Sequence, residues 1–457
     1  MKSFTTLPLS QAMLDNLEKL EYEIMTPIQE KSIPPIISGS DILAQAKTGS
    51  GKTAAFGIGL LHMLNVKRFR IQALVLCPTR ELAEQVTGEL RRLARFQHNI
   101  KLIKITGGLP MRKQEHSLSH EAHIVVGTPG RVLKLLDRGS LKLDDVKMIV
   151  LDEADRMLDM GFIDEIAEIF RFAPSERQTL CFSATFPDEI KSLSRSILYN
   201  PVEISVDTQH DSKIISQHFF RVKGTEKCQA VTSLLAEFQP QNAIIFCNTK
   251  DACRKVGKEL ISRGLHSLAL HGDLEQKERT EVLIRFANGS SNILVATDVA
   301  ARGLDISDLG AVINYDLPFE TETYVHRIGR TGRAGKEGLA LSLISGKEDF
   351  RLHQINQLVK ENFSIEEKAW DAPLGTYHLP SMITLSINGG RKNKISAGDI
   401  LGALTSEGGI SGNDVGKIDR MDYITFVAVK REYAAKALEI LEKGQVKGRR
   451  FKAIIND

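Results

Sequence analysis

The chain has no apolar run approaching the ~18 residues that a membrane-crossing helix requires, and its first residues, MKSFTTLPLSQAMLD, lack the apolar core of a secretory signal. Cysteine is scarce and scattered. Cys77, Cys181, Cys228, Cys247 and Cys253 are odd in number, Cys247 and Cys253 are too far apart for a CxxC pair, and no histidine cluster accompanies them. That argues against a disulfide framework or a structural metal, and predicts reduced, core-lining thiols in a cytoplasmic protein. Aromatics amount to 6%, with a single tryptophan, and the formal net charge is only +3. What is present is ordinary for globular protein, 42% hydrophobic and 26% charged, enough to fill sizeable cores.

The small net charge is unevenly spread. Residues 382–457 hold 13 Lys+Arg against 9 Asp+Glu, a net of +4, which leaves the preceding 381 residues at −1. A basic tail on a neutral body points to an anionic partner for the tail, with a solvated basic surface as the plainer alternative. A length of 457 residues suggests about three domains. Two stretches share a rhythm of short β-branched runs separated by helical patterns. The first holds QALVLCP (72–78), HIVVGTP (123–129), KMIVLD (147–152) and QTLCFSAT (178–185); the second holds NAIIFCNT (242–249), SLALHG (267–272), NILVATD (292–298) and GAVINYD (310–316). Both read as βα units on parallel sheets, with chemistry at the C-terminal strand ends. The expected domains are 1–207 and 208–367, then a linker at 368–381 that contains the tryptophan, then a tail at 382–457. In the tail, the order β-α-β-β-α-β predicts a ferredoxin-like fold.

Residues 46–53, AKTGSGKT, fit a phosphate-binding loop, with Ala46 at the position of the first glycine. In such a loop the backbone of Ala46, Lys47, Thr48, Gly49, Ser50 and Gly51 turns its N–H groups toward phosphate oxygens, Lys52 supplies a point charge, and the Thr53 hydroxyl is a Mg²⁺ ligand. The apolar run MIVLD (148–152) then delivers Asp152, Glu153 and Asp155 to a strand tip, where their repulsion calls for a cation. A solvated helix start is the plain reading of these acids. Beside a nucleotide loop, however, Asp152 is expected to hold Mg²⁺ through water and Glu153 to activate the attacking water. For Asp155 a structural hydrogen-bonding role is as good an account as catalysis.

AKTGSGKT together with LDEADRML resembles the DEAD-box ATP-dependent RNA helicases, and further motifs in the family's order extend the resemblance over about residues 4–365. It implies two RecA-like parallel-sheet domains in tandem. EYEIMTPIQ (21–29) resembles the adenine-reading motif, with Gln29 on the base edge, Tyr22 stacking on the ring and Phe4 supporting it; Glu21 replaces the usual glycine. PTREL (78–82), Gly107 with Gly108, and TPGR (128–131) resemble RNA-backbone contacts, which implies that Arg80, Gly108, Thr128 and Arg131 touch RNA. FSAT (182–185) resembles the motif joining ATP state to RNA grip, through Ser183 and Thr185. FCNT (246–249) and HGDLEQKER (271–279) imply Gln276 and Arg279 near RNA. ATDVAARGLD (296–305) implies Thr297 on RNA, Arg302 at the domain interface and Asp305 on the ribose. HRIGRTGR (326–333) implies Arg330 and Arg333 as arginine fingers, with His326 and Arg327 linking the domains. Together with Asp155, Ser183, Thr185 and Arg302, the last two form the expected coupling set.

The tail resembles the C-terminal RNA-binding domain of one bacterial group within the family, through INGGRKNKI (387–395), GDILGAL (398–404), DVGKI (414–418) and KGRRFK (447–452). This implies an RRM-like domain that targets a structured region of 23S rRNA in large-subunit precursors. YITFVAV offers Tyr423 and Phe426 as stacking faces but has Asp422 where the usual RRM signature starts with Lys/Arg-Gly. Basic residues are the better candidates to bind RNA by shape and phosphate: Arg391, Lys392, Lys394, Lys417, Arg420, Lys447, Arg449 and Arg450. Two other classes remain at this point. A DNA-directed helicase is disfavoured by the DEAD and HRIGRTGR forms of the motifs, and a non-enzymatic rRNA scaffold by an ATP site intact at Lys52, Asp152, Glu153, Arg330 and Arg333.

Overall fold

The computed structural model describes residues 2–46, 49–206, 215–301, 309–332, 337–346, 348–370, 377–406 and 408–456. Among the expected site residues, Lys47, Thr48, Arg302, Asp305 and Arg333 lie outside the described residues.

The first compact unit is built on a parallel sheet of seven strands: β1 (Ile42–Gln45), β2 (Ala73–Leu76), β3 (Leu102–Ile105), β4 (Ile124–Gly127), β5 (Met148–Asp152), β6 (Gln178–Ser183) and β7 (Val202–Ser205), in the spatial order 3-4-2-5-6-1-7. β2, β4 and β5 are buried at every residue, as strands covered by helices on both faces must be. Two apolar clusters, one on each face, contain Phe56, Leu90, Val150 and Phe182 on one side and Leu74, Val125, Ile149 and Cys181 on the other.

The second unit repeats the plan with β8 (Ile215–Arg221), β9 (Ala243–Cys247), β10 (Ser267–Leu270), β11 (Ile293–Thr297), β12 (Ala311–Asn314), β13 (Gly338–Ile344) and β14 (Ile365–Glu366), in the order 10-11-9-12-13-8-14 and parallel throughout. The same unit carries the tail, a four-stranded antiparallel sheet of β15 (Met382–Ile387), β16 (Val415–Arg420), β17 (Thr425–Lys430) and β18 (Ala453–Asn456) in the order 16-17-15-18. Helices Ala397–Leu404 and Ala434–Lys443 cover one face, packing Ile400, Leu404 and Ala437 on Leu385, Ile387 and Val427. The β-α-β-β-α-β reading of the tail therefore holds.

Trp370 and Tyr377, at either end of residues 371–376, are buried in the core of the second parallel-sheet fold. Trp370 meets Phe220 edge to face at 5.9 Å, and the Tyr377 hydroxyl donates to the Pro240 carbonyl at 2.5 Å. Both ends of the segment expected to be a linker are thus anchored. All five cysteines are buried, and no helix among the described residues is long and apolar enough to cross a membrane.

Candidate functional site

Strand order sorts the motifs of the first unit into two neighbourhoods. AKTGSGKT follows β1, DEAD follows β5 and FSAT follows β6; these strands are adjacent in the sheet, so the three loops share one C-terminal edge. PTREL, the Gly107 loop and TPGR follow β2, β3 and β4, which are also adjacent. The two sets of loops thus stand side by side along one sheet edge.

In the phosphate loop, Ala46 N–H donates to the Ser183 carbonyl at 2.9 Å, tying the loop's start to FSAT. Gly51 takes φ +96 as the N-cap of helix Lys52–Met63, and a Cβ there would sit 2.5 Å from Gln29 Nε2. Glycine is required twice over, for the left-handed backbone and for that close approach. Gln29 is buried and uses both ends of its amide: Oε1 accepts from Thr26 N–H at 2.8 Å, and Nε2 donates to the Gly51 carbonyl at 3.2 Å. The expected base-reading residue is thus also a strut under the phosphate loop. Tyr22 sits edge-on to buried Phe4 with centroids 6.0 Å apart, and its hydroxyl donates to Glu89 at 2.6 Å; burial and this bond push the phenol well up. Glu21 takes a left-handed backbone, φ +62, which glycine adopts more freely than any other residue.

Lys52 and Asp152 are buried, and neither Lys52 Nζ nor Asp152 Oδ1 has a hydrogen-bond partner among the described residues. Burial pushes the Asp152 carboxyl up to about 6; Lys52 and Arg156 act against this, while Glu153 and Asp155 reinforce it. The Lys52 ammonium and Asp152 Oδ1, buried without hydrogen-bond partners among the described residues, form with the half-buried Thr53 hydroxyl a set that suits a metal-bound polyphosphate. Glu153 is buried, pairs with Arg156 at 2.8 Å, and has a left-handed backbone, φ +59 and ψ +55, an unfavourable state for a side chain that persists only where the surroundings enforce it. Asp155 serves FSAT. Its Oδ2 accepts from Ala184 N–H (3.2 Å), Thr185 N–H (2.9 Å) and Thr185 Oγ1 (3.0 Å), while its own N–H donates to Ser183 Oγ at 3.1 Å. Of the two readings the sequence left open for Asp155, the hydrogen-bonding one describes these contacts.

Along the other half of the edge, the Arg80 guanidinium lies over the Gly107–Gly108 backbone, so closely that a Cβ on Gly108, at φ +80, would be 2.2 Å from Arg80 Nη1. Arg131 donates to the Leu109 carbonyl (3.0 Å) and to Gln114 (3.2 Å). Thr128 N-caps helix Pro129–Asp137 without using its hydroxyl, which leaves that group available.

In the second unit, FCNT, HGD, ATD and the end of VINYD follow adjacent strands β9, β10, β11 and β12. Arg327 is 1% exposed and spends all five of its N–H donors inside this unit: on Asp298 (2.7 and 2.6 Å), Asn314 (3.1 Å), the Asp316 carbonyl (2.6 Å) and Asn248 (2.9 Å). Its guanidinium also lies 5.0 Å from the Phe246 ring centre. The structure therefore places Arg327 as an internal clamp that shapes three motif loops, and not as a reaching group. Its partners Asn248, Asp298 and Asn314 were not singled out by sequence, although each stands in or next to a quoted motif. Arg279 donates to the Ala300 carbonyl at 2.6 Å, Gln276 is the first residue of helix Gln276–Ala287, Thr297 closes β11, Arg330 is buried and His326 is half-buried.

In the tail, Arg391, Lys392, Lys394, Lys417, Lys447, Arg449 and Arg450 are exposed; Arg420 is half-buried and donates to the Ile395 carbonyl at 3.0 Å. Tyr423 is 63% exposed, whereas Phe426 is 2% exposed and offers no stacking face.

Comparison with known proteins agrees with this geometry. Residues 26–193 match the DEAD/DEAH box helicase family, 226–335 the helicase conserved C-terminal domain and 384–454 the DbpA RNA binding domain. The chain is 47% identical over 450 residues to the ATP-dependent RNA helicase DbpA of Escherichia coli K12, covering 98% of each, and 38% identical over 474 residues to that of Bacillus subtilis 168, covering 99% of each. Among solved structures, S. cerevisiae Dbp5 bound to RNA and ADP BeF3 is 32% identical with a TM-score of 0.72, covering 81% of this chain and 96% of that one. The chain belongs to the DEAD-box ATP-dependent RNA helicases, in the group whose core is followed by a DbpA RNA-binding domain.

Proposed function

We propose that this helicase spends ATP to open and remodel structured 23S rRNA in precursors of the large ribosomal subunit, in the cytoplasm, and that its tail selects the site. The observation that supports this reading is the match of residues 384–454 to the DbpA RNA binding domain on the same chain as the DEAD/DEAH box helicase and helicase C-terminal domains.

Within the core, Thr53 and Asp152 would hold Mg²⁺, which when bound neutralises phosphate charge in the transition state. Lys52 binds the outer phosphates, Gly49, Ser50 and Gly51 with Lys47 and Thr48 cradle them, and Gln29 and Tyr22 receive the base, with Asp305 on the ribose. Glu153 orients and deprotonates the attacking water; its enforced backbone and its Arg156 pairing hold the carboxylate in one place. Arg330 and Arg333 supply positive charge to the γ-phosphate, a contribution of ~10³–10⁵ in rate in related phosphoryl transfers. Arg80, Gly108, Thr128, Arg131, Gln276, Arg279 and Thr297 contact the RNA backbone without reading sequence. ATP and RNA favour the same closed arrangement of the two domains, and hydrolysis removes one of the two ligands that hold it.

The test is binding and ATPase stimulation by tiled fragments of 23S rRNA, in the full chain and in a chain ending at residue 381. A small set of fragments should stimulate the full chain selectively, and the shortened chain should respond equally to all. Equal stimulation of the full chain by every fragment would overturn the rRNA reading.

A further inference from the structure

In the tail sheet, alternate residues face opposite ways. Ile383, Leu385, Ile387, Val427 and Val429 pack under the two helices. The opposite face, open in a lone domain of this kind, carries Thr384, Ser386, Phe426 and Ala428; Thr384 pairs across the sheet with Ala428 and Asn456, and Ser386 with Phe426. Thr384 and Ala428 are 0% exposed and Phe426 is 2% exposed. Something covers them, and the contacts identify it. Thr384 Oγ1 donates to Ser290 Oγ at 2.8 Å and accepts from Asn288 Nδ2 at 2.9 Å; Asn456 Nδ2 donates to Glu281 at 2.6 Å; Asn292 Nδ2 donates to the His378 carbonyl at 2.7 Å. Glu281 lies on helix Gln276–Ala287, and residues 288–292 form the turn that leads from it into β11.

That turn is at the N-terminal end of the second parallel sheet. So are Pro240 and Gln241, which accept from Tyr377 and meet His378. FCNT, ATD and the clamp of Arg327 stand at the other end of the same strands. A five-residue strand such as β11 spans about 16 Å, so dock and motif edge are separated by at least that rise.

We propose that the open face of the tail sheet is a dock for the second RecA-like domain, so that domain and tail form one body and hold an RNA element on the tail at a set separation from the strand in the helicase core. The proposal rests on the reading that the tail binds RNA. Across the dock Thr384 is held by both Ser290 and Asn288, Asn456 by Glu281 and the His378 carbonyl by Asn292, directional bonds that give one orientation and not a sliding contact. Because a rigid connection makes the second binding event productive only when the RNA spans the gap, the enzyme should measure distance along its substrate.

The tightest-binding fragment of the tiled 23S rRNA set is joined to a short duplex through uridine spacers of increasing length. Unwinding by the full chain should peak sharply at one spacer length and fall on the order of 10-fold on either side. Ser290→Arg, placed on the domain side of the dock, should flatten the profile while leaving affinity for the fragment unchanged; Thr384→Arg, from the tail side, should do the same. Hydrogen exchange of residues 288–291 should quicken in both variants and in a chain ending at residue 381. A flat profile in the unaltered chain overturns the set separation, and equal exchange with and without the tail overturns the dock. Failure of any fragment to bind the tail removes the RNA-binding reading instead, and leaves the exchange result to decide the dock.

Discussion

The Asp155 carboxylate holds Thr185 twice, accepting from its backbone N–H at 2.9 Å and from its hydroxyl at 3.0 Å. One oxygen of DEAD therefore fixes the conformation of FSAT. Asp155→Ala would strand three donors in a largely buried place, at about 1–3 kcal/mol for the first unsatisfied group. We expect a lower melting temperature of the first domain and a loss of RNA-stimulated ATPase, with Asp155→Asn keeping part of both. Unchanged thermal unfolding of the Ala variant would contradict this role.

Glu153→Gln keeps the size of the side chain and a hydrogen-bonding oxygen but removes the base. Nucleotide and RNA binding should persist while turnover falls by 10²-fold or more, within the ~10²–10⁴ range for general-base loss. Single-turnover hydrolysis at the unaltered rate would exclude Glu153 as the base.

Asp152 predicts a pH dependence of the ligand-free chain. Its carboxyl is raised to about 6 when folded, chiefly by burial, against about 3.9 when unfolded. Its charge therefore costs stability progressively as pH rises from about 4 to about 6, and by a constant amount above that. Asp152→Asn should therefore stabilise the ligand-free first domain more near pH 7.5 than near pH 4. Denaturant unfolding at the two pH values checks it; equal gains at both would refute the assignment.

Arg327→Lys keeps a charge but provides three donors where five are used, and it cannot grip Asp298 with two parallel bonds. A buried acceptor left without its donor costs about 1–3 kcal/mol, so we expect early unfolding of the second domain and reduced RNA-stimulated turnover. If the double variant Arg327→Met with Asp298→Asn is no more stable than Arg327→Met alone, the bidentate pair is not the source of the loss.

Glu21 closes helix Gln11–Lys19 with a Schellman-type turn, Tyr22 N–H to the Leu17 carbonyl and Glu21 N–H to the Glu18 carbonyl, both 2.9 Å. The left-handed residue in such a turn is usually glycine, and a side chain costs roughly 1–2 kcal/mol there. Glu21→Gly should therefore raise the melting temperature by the equivalent of about 0.5–1 kcal/mol after its extra unfolded-state entropy is charged against it, and Glu21→Ala should not. Equal melting of the two variants would place the origin elsewhere.

The parts most legible in sequence were those whose physics is local. Buried parallel strands announce themselves as continuous β-branched runs, and MIVLD, IVVG and AIIFC lie where their patterns indicated. Strands with polar or weakly patterned residues went unread: ILAQ before the phosphate loop, LIKI, and ISQHFFR with its Gln217 and His218. Phosphate and acid motifs are short and contiguous, so they were visible. The Arg327 clamp joins residues 29 and 79 positions apart, and only topology brings Asp298 and Asn248 to it. The tail dock was invisible for another reason. Thr384, Ser290 and Asn288 are small polar residues that read as surface, and Phe426 in a strand read as an offered ring when it is covered.

The tail meets the second sheet at the end of the strands away from the FCNT and ATD loops. Substitutions in the exposed basic residues of the tail should therefore leave the geometry around Arg327 and FCNT undisturbed. Engine and address can then change independently, and a new cargo needs only a domain whose sheet face can seat on Glu281, Asn288 and Ser290.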